Sequence, residues 1–193
     1  THLFNIFHGT TLQTIRGQEI QLKTGGGRKV VRFPFPMGDL PVYYTGHAES
    51  VSMPRNLKGL TEATLHGGVQ PSYIPRLLMV LEKTGLCNTH ARRKKAAEFF
   101  YKIESIFGSG GLDKSVGRID VYGSNKGKTA HRTYSYIGHI GLITSIPCTV
   151  GALWELAGKF KDTPGGVYSC DRMLTDPDPL LAEIMHRGVG IFF

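Results

Sequence analysis

The chain has 193 residues, 40% hydrophobic and 20% charged, which suits one medium globular domain over 1–193 with a core of its own. No apolar run approaches the roughly 18 residues of a membrane span, and the first residues lack the basic-then-apolar order of a signal peptide. Cys87, Cys148 and Cys170 have neither C-x-x-C spacing nor an even count, which argues against a disulfide framework and a zinc knuckle and makes a reducing cytoplasm the expected compartment. The net charge of +8 attracts polyanions, and it equally suits a domain that receives carboxylate substrates or docks beside a phosphate-bearing cofactor.

In chain order, Glu19–Lys23 and Arg28–Phe33 alternate around the flexible Thr24-Gly-Gly-Gly27 and predict a hairpin. Pro34 and Pro36 then stop pairing, because proline lacks the donor that a ladder needs. Leu40–Thr45 reads as the next strand, followed by a short irregular or helical turn near Ser50–Leu57 and another strand over Thr61–His66 that ends at Gly67-Gly68. Ile74, Leu77, Leu78 and Leu81 fall on one face of a helix closed by Gly85. Thr89 can cap a second helix whose Ala96, Phe99, Phe100, Ile103 and Phe107 form a similar stripe before the loop Gly108–Gly111.

Val116–Tyr122 and Thr129–Ile137 read as strands around the turn Gly123–Gly127. Ser145 is the expected cap of a helix with Pro147 in its first turn and Val150, Leu153, Trp154 and Ala157 on its apolar side. Lys159 and Lys161 then sit where the helix dipole favours cations. A final helix over Leu180–His186 and a terminal strand over Val189–Phe193 complete the chain. The expected class is α+β, a two-layer open mixed sheet, largely antiparallel, with helices packed mainly on one face.

No G-x-G-x-x-G follows a strand and opens a helix, so the fingerprint of a dinucleotide-binding fold is missing, and Gly25–Gly27 and Gly108–Gly111 read as turns. Gly123–Thr129 has three residues where a phosphate-cradling P-loop has four, and strands on both sides, so it reads as a hairpin turn. Phe107–Gly111 fails as a nucleophile elbow because position 107 is not glycine. The run Arg92–Lys95 turns through about 300° on a helix, spreading its charge instead of forming one stripe. Its place near a helix start opposes the dipole, so something outside the helix should compensate it.

The eight histidines include no H-E-x-x-H, and His131 and His139, roughly 26 Å apart if the segment is extended, are too distant to share an ion, so no metal site is expected. His47 and Glu49 lie two apart at a strand end beside Gly46 and can face the same way. A neutral histidine with a nearby carboxylate can bond an amino-acid ammonium or exchange a proton with it, and the same pair can equally serve to hold a turn. Arg55 and His66 are candidate cationic contacts to substrate carboxylates, arginine through its two-pronged geometry. No residue is singled out as catalytic.

Pro41-Val-Tyr-Tyr-Thr-Gly-His-Ala-Glu-Ser50 continuing to Leu65-His-Gly-Gly-Val69, then Gly123 after a strand, Thr144-Ser-Ile-Pro147, Gly165-Gly-Val167 and Asp176-Pro-Asp-Pro179, come in an order and spacing that resembles the C-terminal domain of the saccharopine dehydrogenase family. The resemblance implies a fold like the C-terminal domains of saccharopine dehydrogenase-like and glyceraldehyde-3-phosphate dehydrogenase-like enzymes. It implies a parent enzyme dependent on NAD or NADP that transfers hydride at a carbon bonded to nitrogen in an amino acid or amine adduct. In such an arrangement this domain binds the substrate through His47, Glu49, Arg55 and His66 and provides a homodimer interface. A Rossmann domain of the same parent chain, absent here, holds the cofactor. Thr1 in place of a methionine then reads as the start of an excised fragment, inactive by itself.

The family's saccharopine-handling members carry a more elaborate polar turn where this chain has His47-Ala48-Glu49, so a simpler or more cationic amine suits Glu49 better than saccharopine. Two competing readings are a basic nucleic-acid or polyanion module, disfavoured by the spread of charge at Arg92–Lys95, and a dimerisation scaffold without a ligand.

Overall fold

The computed structural model describes residues 6–85, 87–107, 112–161, 163–174 and 176–193, with only the backbone described at 103–107. The expected loop at 108–111, and the stripe positions Ile103 and Phe107, lie outside the described residues and side chains. Two compact units partition the chain: unit 1 comprises Thr1–Val31 and Leu40–Leu112, and unit 2 comprises Arg32–Asp39 and Asp113–Phe193. The secondary structure is α+β, but in place of one open sheet it forms three small antiparallel sheets with six helices among the described residues.

In unit 1, β1 (Thr10–Ile15) and β2 (Gln18–Lys23) pair antiparallel from Thr10 opposite Lys23 to Ile15 opposite Gln18. Their turn is Arg16-Gly17, both at positive φ, the backbone that a two-residue hairpin turn requires. The expected hairpin between Glu19–Lys23 and Arg28–Phe33 therefore does not form, since these strands belong to different sheets. The glycine run serves a different purpose. Gly25 N donates to Tyr44 O at 2.9 Å, Tyr44 N donates to Gly26 O at 2.9 Å, and a Cβ on Gly27 would overlap the Tyr44 ring. Only glycine lets the two backbones approach so closely.

β3 (Lys29–Phe33), β4 (Gly38–Tyr44) and β5 (His66–Gly67) form the second sheet in that order. Pro34 and Pro36 lie in the turn between β3 and β4, where Met37 N donates to Pro34 O, so they turn the chain back into pairing instead of ending it. The strand expected over Thr61–His66 reduces to β5 and one bridge, Ala63 to Thr14. Between them, Leu65 N is satisfied by the side-chain Oε1 of the fully buried Gln13 at 2.7 Å, which takes the place of a ladder partner.

α1 (Glu49–Asn56) follows β4, and α2 (Ile74–Lys83) and α3 (His90–Phe107) cover the core of unit 1. That core is Phe7, Tyr43, Leu78 and Cys87, with Ile74, Leu81, Ala96 and Phe100 packed against it. Thr89 Oγ1 accepts from Arg92 N at 3.3 Å as the cap of α3, whereas Phe99 leaves the expected buried stripe and is exposed.

In unit 2, β6 (Ser115–Asn125) and β7 (Lys128–Gly138) run antiparallel over eleven residues each, closed by Lys126-Gly127 at positive φ. β8 (Gly190–Phe192) pairs with the last part of β7. α4 (Ile140–Leu156) starts five residues before the expected Ser145 cap, because His139 Nδ1 accepts from Gly141 N at 3.1 Å and supplies the cap itself. Pro147 thus stands inside the helix and not in its first turn. α5 (Cys170–Met173) and α6 (Asp178–His186) follow. Val150 and Trp154 of α4, Ile184 of α6 and Val189 make the core of this unit.

Candidate substrate groove

The end of β4 delivers Gly46-His47-Ala48 onto the start of α1, and buried hydroxyls fasten this junction to β1. Ser50 Oγ donates to Leu12 O at 2.8 Å, and Thr14 Oγ1 donates to Ser50 O at 2.8 Å. Thr11 Oγ1 and Gln13 Nε2 both donate to Thr45 O, at 3.2 and 3.4 Å. Thr11 and Gln13 share one face of β1 and hold Thr45, while Thr14, on the opposite face, holds Ser50 of α1, so both faces of the strand use polar side chains at this junction.

Beside this junction lies an open groove of about 790 Å³, lined by Thr10–Leu12 of β1, Gln21 of β2, Gly46–Ala48 and the α1 residues Val51, Ser52, Arg55 and Asn56. The sequence-predicted residues divide around it. His47 and Arg55 line it, and Glu49 does not. His47 Nδ1 stands 3.9 Å from Glu49 Oε2, an ionic contact when the ring is protonated and longer than a hydrogen bond.

Arg55 is already occupied. Its Nε donates to Glu19 Oε1 at 2.6 Å and its Nη2 to Oε2 at 2.7 Å, a two-pronged pair that holds the Glu19 carboxyl below the usual carboxylate range. Glu19 is thus a carboxylate already seated on the guanidinium at the groove wall. Sequence reasoning missed it, since nothing local connects β2 to a residue 36 positions away.

His66 does not line the groove. Its ring lies against Tyr44 with centroids 4.5 Å apart, and its Nδ1 is buried without a hydrogen-bond partner among the described residues. Burial, reinforced by the charge of Lys29 and opposed by a backbone hydrogen bond at Gly27, pushes its pKa down to about 4. At neutral pH it carries no charge with which to meet a carboxylate.

The basic run at the start of α3 spends part of its charge internally: Arg92 Nη1 donates to Gly85 O at 3.3 Å, and Arg93 Nη1 to Cys87 O at 3.0 Å. Carbonyls of the α2–α3 connection thus provide the compensation that the dipole argument required. Among the described residues, no group of three His, Cys, Asp or Glu side chains is placed to hold a metal ion, and no helix is long and apolar enough to cross a membrane. No protein-family model matches the chain, and no curated protein matches it.

Proposed function

We propose that this chain is the substrate-binding and subunit-assembly domain of an NAD(P)-dependent oxidoreductase resembling saccharopine dehydrogenases, acting on an amino acid or amine adduct at a carbon bonded to nitrogen. The observation that carries the reading is the groove that holds His47 and Arg55 on its wall beside the start of α1. An amino-acid ligand presents an ammonium and a carboxylate a few ångströms apart. His47, with Glu49 near it, suits the ammonium, and the Arg55 fork suits the carboxylate once Glu19 yields its place.

The described glycine-rich segments do not fit a dinucleotide. Gly25–Gly27 is closed against Tyr44, and the Gly123–Gly127 segment belongs to a hairpin. NAD or NADP therefore belongs, in this reading, to a Rossmann domain of the parent chain, and this domain binds and orients the substrate. The assembly role is supported by β6, an edge strand eleven residues long with Ile119 and Val121 about half exposed, at 53% and 48%.

The test is NMR titration of the 15N-labelled chain with L-lysine, with L-glutamate and with an N-carboxyalkyl amino acid, and separately with NADPH. The expected result is amino-acid-dependent shifts at Gly46–Ala48 and at Arg55 Nε, with NADPH perturbing none of them. Absence of those shifts with every amino-acid probe at millimolar concentration overturns the reading.

A further inference from the structure

One face of the β6–β7 hairpin carries a cluster that the proposed function does not use. Arg118 Nε and Nη2 donate to the two oxygens of Asp120, each at 2.9 Å, while Nη1 donates to Arg32 O at 2.8 Å. Asp120 Oδ1 also accepts from Thr133 Oγ1 at 2.8 Å and meets His131 Nε2 at 2.9 Å. The Arg118 guanidinium, helped by Thr133 and His131, holds the Asp120 carboxyl well below the usual carboxylate range. Tyr122, directly across from His131, lies flat on the imidazole with centroids 4.1 Å apart and planes 6° from parallel.

An ionised carboxylate only accepts hydrogen bonds, so the imidazole nitrogen facing it must carry the proton. His131 is therefore the Nε2–H tautomer when neutral, with its lone pair on Nδ1. No described residue bonds that Nδ1, and the side chain is 42% exposed. Four donor contacts keep the carboxylate from turning away, and the stacked Tyr122 fixes the plane of the ring.

The order has a cost, since fixing Arg118, Asp120, Tyr122 and His131 opposes their rotamer freedom. A carboxylate that sets the tautomer of an imidazole and leaves its other nitrogen open is the arrangement by which histidine is made a proton acceptor.

We propose that His131, set by Asp120 and walled by Tyr122, is a proton-accepting site for a small ligand that presents an O–H or N–H donor to Nδ1. The proton moves from the donor to Nδ1, the resulting imidazolium keeps its Nε2–H on Asp120, and the deprotonated donor atom gains the electron pair. The ligand's remaining surface meets the exposed ring of Tyr122. This site stands in unit 2 and does not depend on the groove reading.

Two measurements on the whole chain test it. Long-range 1H–15N NMR should find His131 as the Nε2–H tautomer near pH 8; an Nδ1–H tautomer overturns the proposal without any variant. Carbethoxylation by diethyl pyrocarbonate, followed by peptide mass spectrometry, probes the Nδ1 lone pair. His131 should label several-fold faster than N-acetylhistidine. Asp120→Asn, whose amide can donate to Nε2 and so reverse the tautomer, should slow the labelling several-fold, whereas Thr133→Val should leave it near the wild-type rate. Labelling no faster than N-acetylhistidine, or unchanged in a folded Asp120→Asn protein, overturns the assignment.

Discussion

Acidification should destabilise unit 1 through His66. Its folded pKa is about 4 against an ordinary value of 6.5, because burial beside Tyr44 penalises the cation and Lys29 adds repulsion. The sign follows directly: below pH 6.5 the unfolded chain binds a proton that the folded chain refuses, so the contribution is fully present above pH 6.5 and is lost as pH falls toward 4. At about 1.36 kcal/mol per pKa unit, the ceiling is about 3 kcal/mol. The ring keeps partial contact with solvent, and discounting for that screening leaves about 1–2 kcal/mol. Urea unfolding of the wild type and of His66→Phe at pH 7.0, 5.5 and 4.5 isolates the effect, because every other titrating group is common to both proteins. The wild type should lose about 1–2 kcal/mol more than the variant across that range. Parallel pH profiles for the two proteins, or a His66 ring that titrates near 6.5 by NMR, would refute the reasoning.

Other perturbations test other links. Glu19→Gln weakens the carboxylate seated on Arg55, so a carboxylate ligand at the groove should bind several-fold tighter by calorimetry, and Arg55→Ala should abolish the gain. Gly27→Ala puts a Cβ onto the Tyr44 ring at a residue with φ +59°, and should lower stability by about 2 kcal/mol or more in urea titration. Val150→Ala, at a fully buried site in the core of unit 2, should cost about 2 kcal/mol. The chain's single tryptophan, Trp154, lies in the same core, so its fluorescence should report that loss directly. If β6 mediates self-association, Ile119→Lys with Val121→Lys should convert a dimer to a monomer of 21.2 kDa in light scattering. A wild type that is itself monomeric rejects the assembly reading.

What could be read from the sequence was what neighbouring residues decide. The helical stripe of α2, the span of α3 with its cap at Thr89 and the strands of the β6–β7 hairpin all depend on residues within a few positions of one another, and they appear where expected, though Phe99 leaves the α3 stripe. The first error is nonlocal. Gly25–Gly27 suggested a hairpin turn, but the glycines are needed for their approach to Tyr44, far along the chain. The turn that does form, Arg16-Gly17, lacks the asparagine or aspartate that usually marks one. His139 displaced Ser145 as the cap of α4 because an imidazole nitrogen can accept from a helix N–H as a hydroxyl does.

The groove depended on contacts of the same nonlocal kind. His47 and Glu49 were visible as a pair because they are two residues apart, whereas the occupation of Arg55 by Glu19 depends on β2 lying beside α1. The cluster at His131 is more instructive, since its geometry hangs on the exact turn: the expected turn Gly123–Gly127 leaves Tyr122 facing Lys128, whereas the turn that forms is Lys126-Gly127. Once Asn125 pairs with Lys128, the antiparallel register sets Tyr122 opposite His131 and Asp120 opposite Thr133, and the diagonal brings Asp120 to His131. Comparing His131 with His139 along one strand asked about an extended distance. The informative comparison ran across the hairpin, where residues eleven apart become neighbours and a carboxylate meets an imidazole. A histidine on a strand is therefore best judged by the residues that its hairpin turn places opposite and diagonal to it, before its spacing to other histidines is considered.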